Sequence, residues 1–150
     1  IYEATEVPQL NPVFSKYIVR IGQKSGLCWI KAMGNPVAVN SFGVQLRSAF
    51  DDLDGKLSDR YGKGKKSDFL MSGSIWRDAN DWMMALAKNE RVYARVWDEK
   101  TKANLGRELK SISVSAIAVS GSLGRIDVEY AFANEDECEK EISAAGSKGL

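Results

Sequence analysis

Three stretches of this chain carry residue types that do chemistry in other proteins. Ser120-Gly121-Ser122-Leu123-Gly124 sets hydroxyls among glycines, Gly62-Lys63-Gly64-Lys65-Lys66-Ser67 clusters ammonium groups, and Asp51-Asp52-Leu53-Asp54-Gly55 clusters carboxylates. The first has the flavour of a nucleophile elbow. That motif is Gly-x-Ser-x-Gly between a strand and a helix, with a histidine base. Here position 120 is serine, strand-like sequence flanks both sides, and the whole chain has no histidine. Ser-His-Asp and Cys-His pairs are therefore excluded, as are His-based zinc sites. No Ser-x-x-Lys occurs either. The stretch reads as a hairpin tip: small, polar and projecting, with Leu123 as its apolar residue. Such a shape suits insertion into a partner's cleft.

The lysine stretch is not a P-loop, which needs Gly-x-x-x-x-Gly-Lys-Ser/Thr between a strand and a helix. It follows a helix and reads as a basic, flexible, solubilising loop. Lys63, Lys65 and Lys66 could still touch a phosphate or an acidic partner. The acidic stretch fails as a calcium loop. With Gly55 in the sixth place, Phe50 falls first and Tyr61 twelfth, where oxygen ligands are required. It reads as one solvated helix face, and no metal is expected. Asp127 and Glu129 share a strand face at a spacing a glycosidase pair could use. Many surface pairs do the same, so catalysis is the minority reading. Of the four tryptophans, Trp29, Trp76, Trp82 and Trp97, core is the default. Trp97 shares a face with Tyr93 and Arg95, so either solvent or the N-terminal arm covers it. Exposed tryptophans would make a sugar-stacking platform.

These residues need elements to hold them. The chain has 150 residues, 44% hydrophobic and 27% charged, with a net charge of +1. That is one domain, 1–150, with an ordinary core. The charge is too balanced for an electrostatic nucleic-acid binder. No run of about 18 apolar residues could span a membrane, and no cofactor motif is present. Residues 1–12, broken by Pro8 and Pro12, form an arm. Phe14–Ile21 and Leu27–Met33 are strands of a hairpin around Gly22–Gly26. Leu46, Phe50, Leu53, Leu57 and Tyr61 lay one apolar stripe along a helix, with Ser41 as N-cap and Gly62 as C-cap. Asp78 caps a second helix that ends near Asn89. Arg91–Asp98, Ile112–Ala118 and Ile126–Phe132 alternate as strands of a meander. Asn134 opens a short helix over Glu135–Ala144, with Glu137 placed for a capping box. Residues 145–150 read as a frayed tail.

The order β-β-α-α-β-β-β-α predicts an α+β fold: a single antiparallel sheet with helices packed on one face. Cys28 and Cys138 are the two cysteines. Their pairing would close a loop of roughly 110 residues, worth about 4–5 kcal/mol in the chain-entropy model. A disulfide favours an oxidising compartment, periplasmic or secreted. The chain starts at Ile1 rather than Met, which fits a removed leader or a trimmed end.

This plan of one cysteine pair, an α+β body and a projecting hairpin resembles small exported bacterial proteins of inhibitor or immunity type. The resemblance implies a protein partner, such as a secreted cell-wall-degrading hydrolase, blocked by a loop in its active cleft. The expected function is non-catalytic binding through Ser120, Gly121, Ser122, Leu123 and Gly124, and through Lys63, Lys65 and Lys66. The alternatives are a carbohydrate- or envelope-binding module using exposed aromatics, and a carboxylate-dependent hydrolase using Asp127 and Glu129.

Overall fold

A computed structural model describes residues 1–148. The elements are β1 (Tyr2–Ala4), β2 (Phe14–Gly22), β3 (Gly26–Gly34), β4 (Val37–Ala38) and α1 (Val44–Tyr61). Then follow β5 (Lys65–Leu70), a 3-10 turn (Ala79–Asp81), α2 (Trp82–Ala87), β6 (Arg91–Trp97), β7 (Leu109–Ala118), β8 (Leu123–Phe132) and α3 (Glu135–Ser147). All pairings are antiparallel, in the order β1-β2-β3-β8-β7-β6-β5, with β4 against the start of β8. The fold is α+β around this single sheet. The first hairpin docks on the last strand, so β8 lies at the centre with neighbours on both sides.

Opposed residues of an antiparallel ladder share a face, and neighbours along a strand alternate. One row across the sheet runs Tyr17, Ala32, Val128, Val114, Arg95 and Lys66. That face carries α1 and α2. The core joins Leu46, Phe50 and Leu57 of α1, Trp82, Met83 and Leu86 of α2, and Ile112, Val114, Ile126 and Val128 of the sheet. Leu53 and Tyr61 complete the α1 stripe at its margin. Each fully buried Leu or Phe contributes about 1.5–3 kcal/mol. α3 packs instead on β2 and β3 through the Cys28–Cys138 disulfide. The β2–β3 register shifts between the Arg20–Trp29 and Ile21–Leu27 pairs, leaving Cys28 unopposed at the bulge.

Several sequence expectations need correction. The stretch after Gly62 is a loop only to Gly64; Lys65 begins β5, because a partner strand, β6, lies alongside. The arm contributes β1, paired to β2. Gly43, not Ser41, is the N-cap residue of α1, and the turn before it is closed by Asn40, whose Oδ1 accepts from Val44 N at 3.1 Å while Gln45 Oε1 accepts from Asn40 N at 2.9 Å. Gly43 separates them at φ 71°, and any Cβ there would collide with the Trp82 ring. α2 stops at Ala87. Asn134 makes no capping box; its amide donates to Ser25 O and Leu27 O across the fold. α3 continues to Ser147, past the expected frayed boundary at 145, and residues 149–150 of that tail lie outside the described residues. Trp97 is 0% exposed, on the helix face, with its Nε1 donating to Gly62 O at 2.7 Å. The α1–β5 connection covers it, not the arm. Asp54 is not solvated: it is buried against Arg95.

Candidate functional site

The turn between β7 and β8 is built by backbone chemistry. Val119 N and Ser120 N both donate to Leu123 O, at 2.8 and 3.0 Å, and Ser122 N donates to Ser120 Oγ at 3.3 Å. A third strand flanks it. Val39 N donates to Ser122 O at 2.9 Å, and β4 pairs Val37 with Gly124 and Ala38 with Leu123. The loop is thereby tied on both sides. Ser120, Gly121 and Ser122 are exposed, with Val119 beside them. Leu123 is half-buried within the ladder, and Gly124 is buried. A Cβ on Gly124 would stand 2.7 Å from Leu46 Cδ2. Of the five expected tip residues, three project and two anchor.

The lysines do not join this loop. Lys65 and Lys66 lie opposite Val96 and Arg95, which lie opposite Ser113 and Val114, whereas the loop follows Ala118. They also diverge from one another, as neighbours on a strand must. Lys66 faces the helices and donates to Tyr93 Oη at 3.1 Å, while Tyr93 donates to Asp51 Oδ1 at 3.3 Å. The Tyr93 hydroxyl raises the Lys66 ammonium above its ordinary value, against the opposing effect of burial. Lys65 points to the other face. Lys63 is exposed, and its carbonyl accepts from Arg95 Nη1.

That other face carries neither α1 nor α2. Its rows run Ile18, Lys31, Glu129, Ser113, Val96, Lys65 and Lys16, Met33, Asp127, Ser115, Ala94, Ser67. Most of these side chains are partly exposed, but Asp127 is 2% exposed. Arg125 grips Asp127 through Nε to Oδ1 at 2.8 Å and Nη2 to Oδ2 at 3.2 Å. Lys31 Nζ lies 3.5 Å from Asp127 Oδ2 and 3.3 Å from Glu129 Oε1. Cations thus occupy both Asp127 oxygens. The pair is built as a charge network.

Among the four tryptophans, Trp82 and Trp97 are core, and Trp29 and Trp76 are partly buried. The Arg20 guanidinium sits 5.0 Å from the Trp29 ring. Among the described residues, no group of three or more Cys, Asp or Glu side chains converges as metal ligands would. No helix there is long and apolar enough to cross a membrane.

At the far corner, α3 is latched to the β2–β3 turn. Glu141 accepts from Ser25 Oγ at 2.6 Å, from Lys24 N at 2.7 Å and from Ser25 N at 3.1 Å. The Ser25 hydroxyl and then the two backbone N–H groups hold its carboxyl below the ordinary range. Sequence reasoning found the cysteines but neither this latch nor the Arg125–Asp127–Lys31 network. Arg125 and Asp127 at i and i+2 on a strand share a face, which was a readable signal; Lys31 entered only through the β3–β8 pairing. No family model, no curated protein and no solved structure matches this chain.

Proposed function

We propose that this chain is a non-catalytic binding protein, most concretely an exported inhibitor or immunity protein. It seats the Ser120–Ser122 loop in the cleft of a cell-wall-degrading hydrolase. The observation that carries this reading is the double tether of that exposed loop, to Leu123 O within the hairpin and to Val39 N just after β4. A pre-ordered loop loses little conformational entropy on binding, so its contacts convert to affinity. The Ser120 and Ser122 hydroxyls hydrogen-bond polar groups of the cleft. Val119, 49% exposed, supplies the apolar contact in place of the half-buried Leu123. Export is supported by the disulfide, since reducing compartments do not maintain such bonds.

The test is inhibition of peptidoglycan hydrolysis by a lysozyme, a lytic transglycosylase and an amidase. The chain inhibits at least one of them. Ser120→Arg and Ser122→Arg keep the thermal midpoint and weaken inhibition by about 100-fold, the scale of a hot-spot loss. Inhibition that survives both substitutions removes the loop from the reading. Turnover of peptidoglycan by the purified chain itself overturns the reading as a whole.

A further inference from the structure

The sheet ends at β5, whose inner side pairs with β6. Among the described residues, no strand pairs its outer side. An edge of this kind is a template for another strand. Its side chains have a pattern of their own. Lys66 and Asp68 flank Ser67 on the helix face, while Lys65 and Phe69 flank it on the open face together with Ser67 itself. Phe69 and Asp68 are both exposed, and Asp68 has one in-chain bond, from Arg91 Nη1 to its Oδ1 at 3.3 Å.

We propose that β5 pairs antiparallel with β5 of a second copy of this chain, about a twofold axis at Ser67, joining the two sheets into one. In that register Ser67 meets its own counterpart. Lys66, which gives one of its three ammonium protons to Tyr93 Oη in its own chain, meets Asp68 of the second copy with another, so opposite charges face each other twice by symmetry. Lys65 lays its stem and ammonium on Phe69 of the second copy, a cation–aromatic pair. Neighbouring registers fail. A shift one way opposes Lys66 to Lys66, and a shift the other way opposes Asp68 to Asp68; like charges directly opposite repel. Intermediate shifts would join unlike faces, because the side-chain period is two. The strand is therefore complementary to itself in one register. Its lysines, which on an ordinary edge would discourage pairing, here find an acid and a ring on the second copy.

Sedimentation equilibrium on the full chain, from about 5 µM to about 500 µM, tests this; that span reads a dissociation constant on either side of about 50 µM, or about −6 kcal/mol. A monomer–dimer equilibrium is expected. Asp68→Lys and Lys66→Glu each oppose like charges twice and weaken the dimer by about tenfold or more. An equimolar mixture of the two variants restores every opposite-charge pair and recovers the dimer. Ser67→Cys, placed at the axis, yields a disulfide-linked dimer on air oxidation, since directly opposed Cα atoms lie about 4.5–5.5 Å apart, within disulfide reach. This variant leaves both charges in place and serves if a charge variant fails to fold. A wild-type chain that stays monomeric throughout the range overturns the proposal. So does a dimer indifferent to both charge variants, or a Ser67→Cys chain that does not cross-link. None of these outcomes bears on hydrolase inhibition by the Ser120–Ser122 loop.

Discussion

Removing the disulfide with Cys28→Ser and Cys138→Ser should separate two layers of stability in this molecule. The bridge spans 110 residues. Closing a loop of that length removes about 16 cal/mol/K from the unfolded chain, or about 5 kcal/mol near room temperature in the chain-entropy model. That is a large share of the about 5–15 kcal/mol typical of a domain. The structure also says where the loss appears first. The buried side chain of α3 is Cys138, and the helix stands outside the cluster formed by α1, α2 and the sheet. Apart from the bridge, α3 is held by polar contacts at its surface: Glu141 on the β2–β3 turn, Glu139 on Arg20 at 2.9 Å, Glu135 and Asp136 on Lys110 of β7 at 3.1 and 2.7 Å, and the Asn134 amide on Ser25 O and Leu27 O. The exposed ion pairs among these contribute little each, and the part-buried bonds at Ser25 add modestly to them. In the double variant, α3 amides should exchange with deuterium as in a nearly open segment, while β7 and β8 amides stay protected. Urea unfolding followed by tryptophan fluorescence should show a midpoint lowered by the equivalent of about 3–5 kcal/mol. Unchanged α3 exchange, or a stability loss under about 1 kcal/mol, would refute the account of α3 as a helix held by its covalent tie.

Two further outcomes follow from buried and bonded charges. Arg95 Nε donates to Asp54 Oδ1 at 2.6 Å, with both side chains largely buried, so Arg95→Met leaves a carboxylate without its counter-ion and should cost about 3 kcal/mol by urea denaturation; a loss that vanishes in high salt would mean that the pair is solvent-screened and the reasoning wrong. Glu141 has its carboxyl depressed in the fold by three hydrogen bonds, so its contribution is present above the ordinary glutamate value of 4.5 and fades as pH falls through its lower folded value. Glu141→Gln should therefore flatten the acid side of the stability–pH profile of α3, measured by amide exchange, and an unaltered profile would count against the latch.

The separation between what was readable and what was not follows the range of the interactions. The α1 stripe of Leu46, Phe50, Leu53 and Leu57 is a local period, and those residues do face the core. The alternation of Ile112, Val114, Ile126 and Val128 is likewise local, and a hairpin turn between them is the shortest connection. β5 was not readable, because Lys-Lys-Ser-Asp has no strand preference; β6 alongside makes it a strand. The inward face of β6 was not readable either. Val92, Ala94 and Val96 are the more apolar set, yet Tyr93, Arg95 and Trp97 turn inward, since Asp54, Phe50 and Gly62 O wait there to receive them. For the loop, the turn at Ser120–Ser122 was legible from its glycines and serines, but its tether to Val39 was not.

By itself, then, the sequence determined the mix of elements, their rough order and the absence of imidazole chemistry, all properties of composition and of near neighbours along the chain. Only the tertiary structure decided that the first hairpin joins the last strand, that Asp127 is gripped by Arg125 and Lys31, and that β5 stands at an edge. Those depend on which distant segments meet. That choice is made by burying shared apolar area and by satisfying the charges and backbone groups that burial traps, and no window along the chain contains both partners.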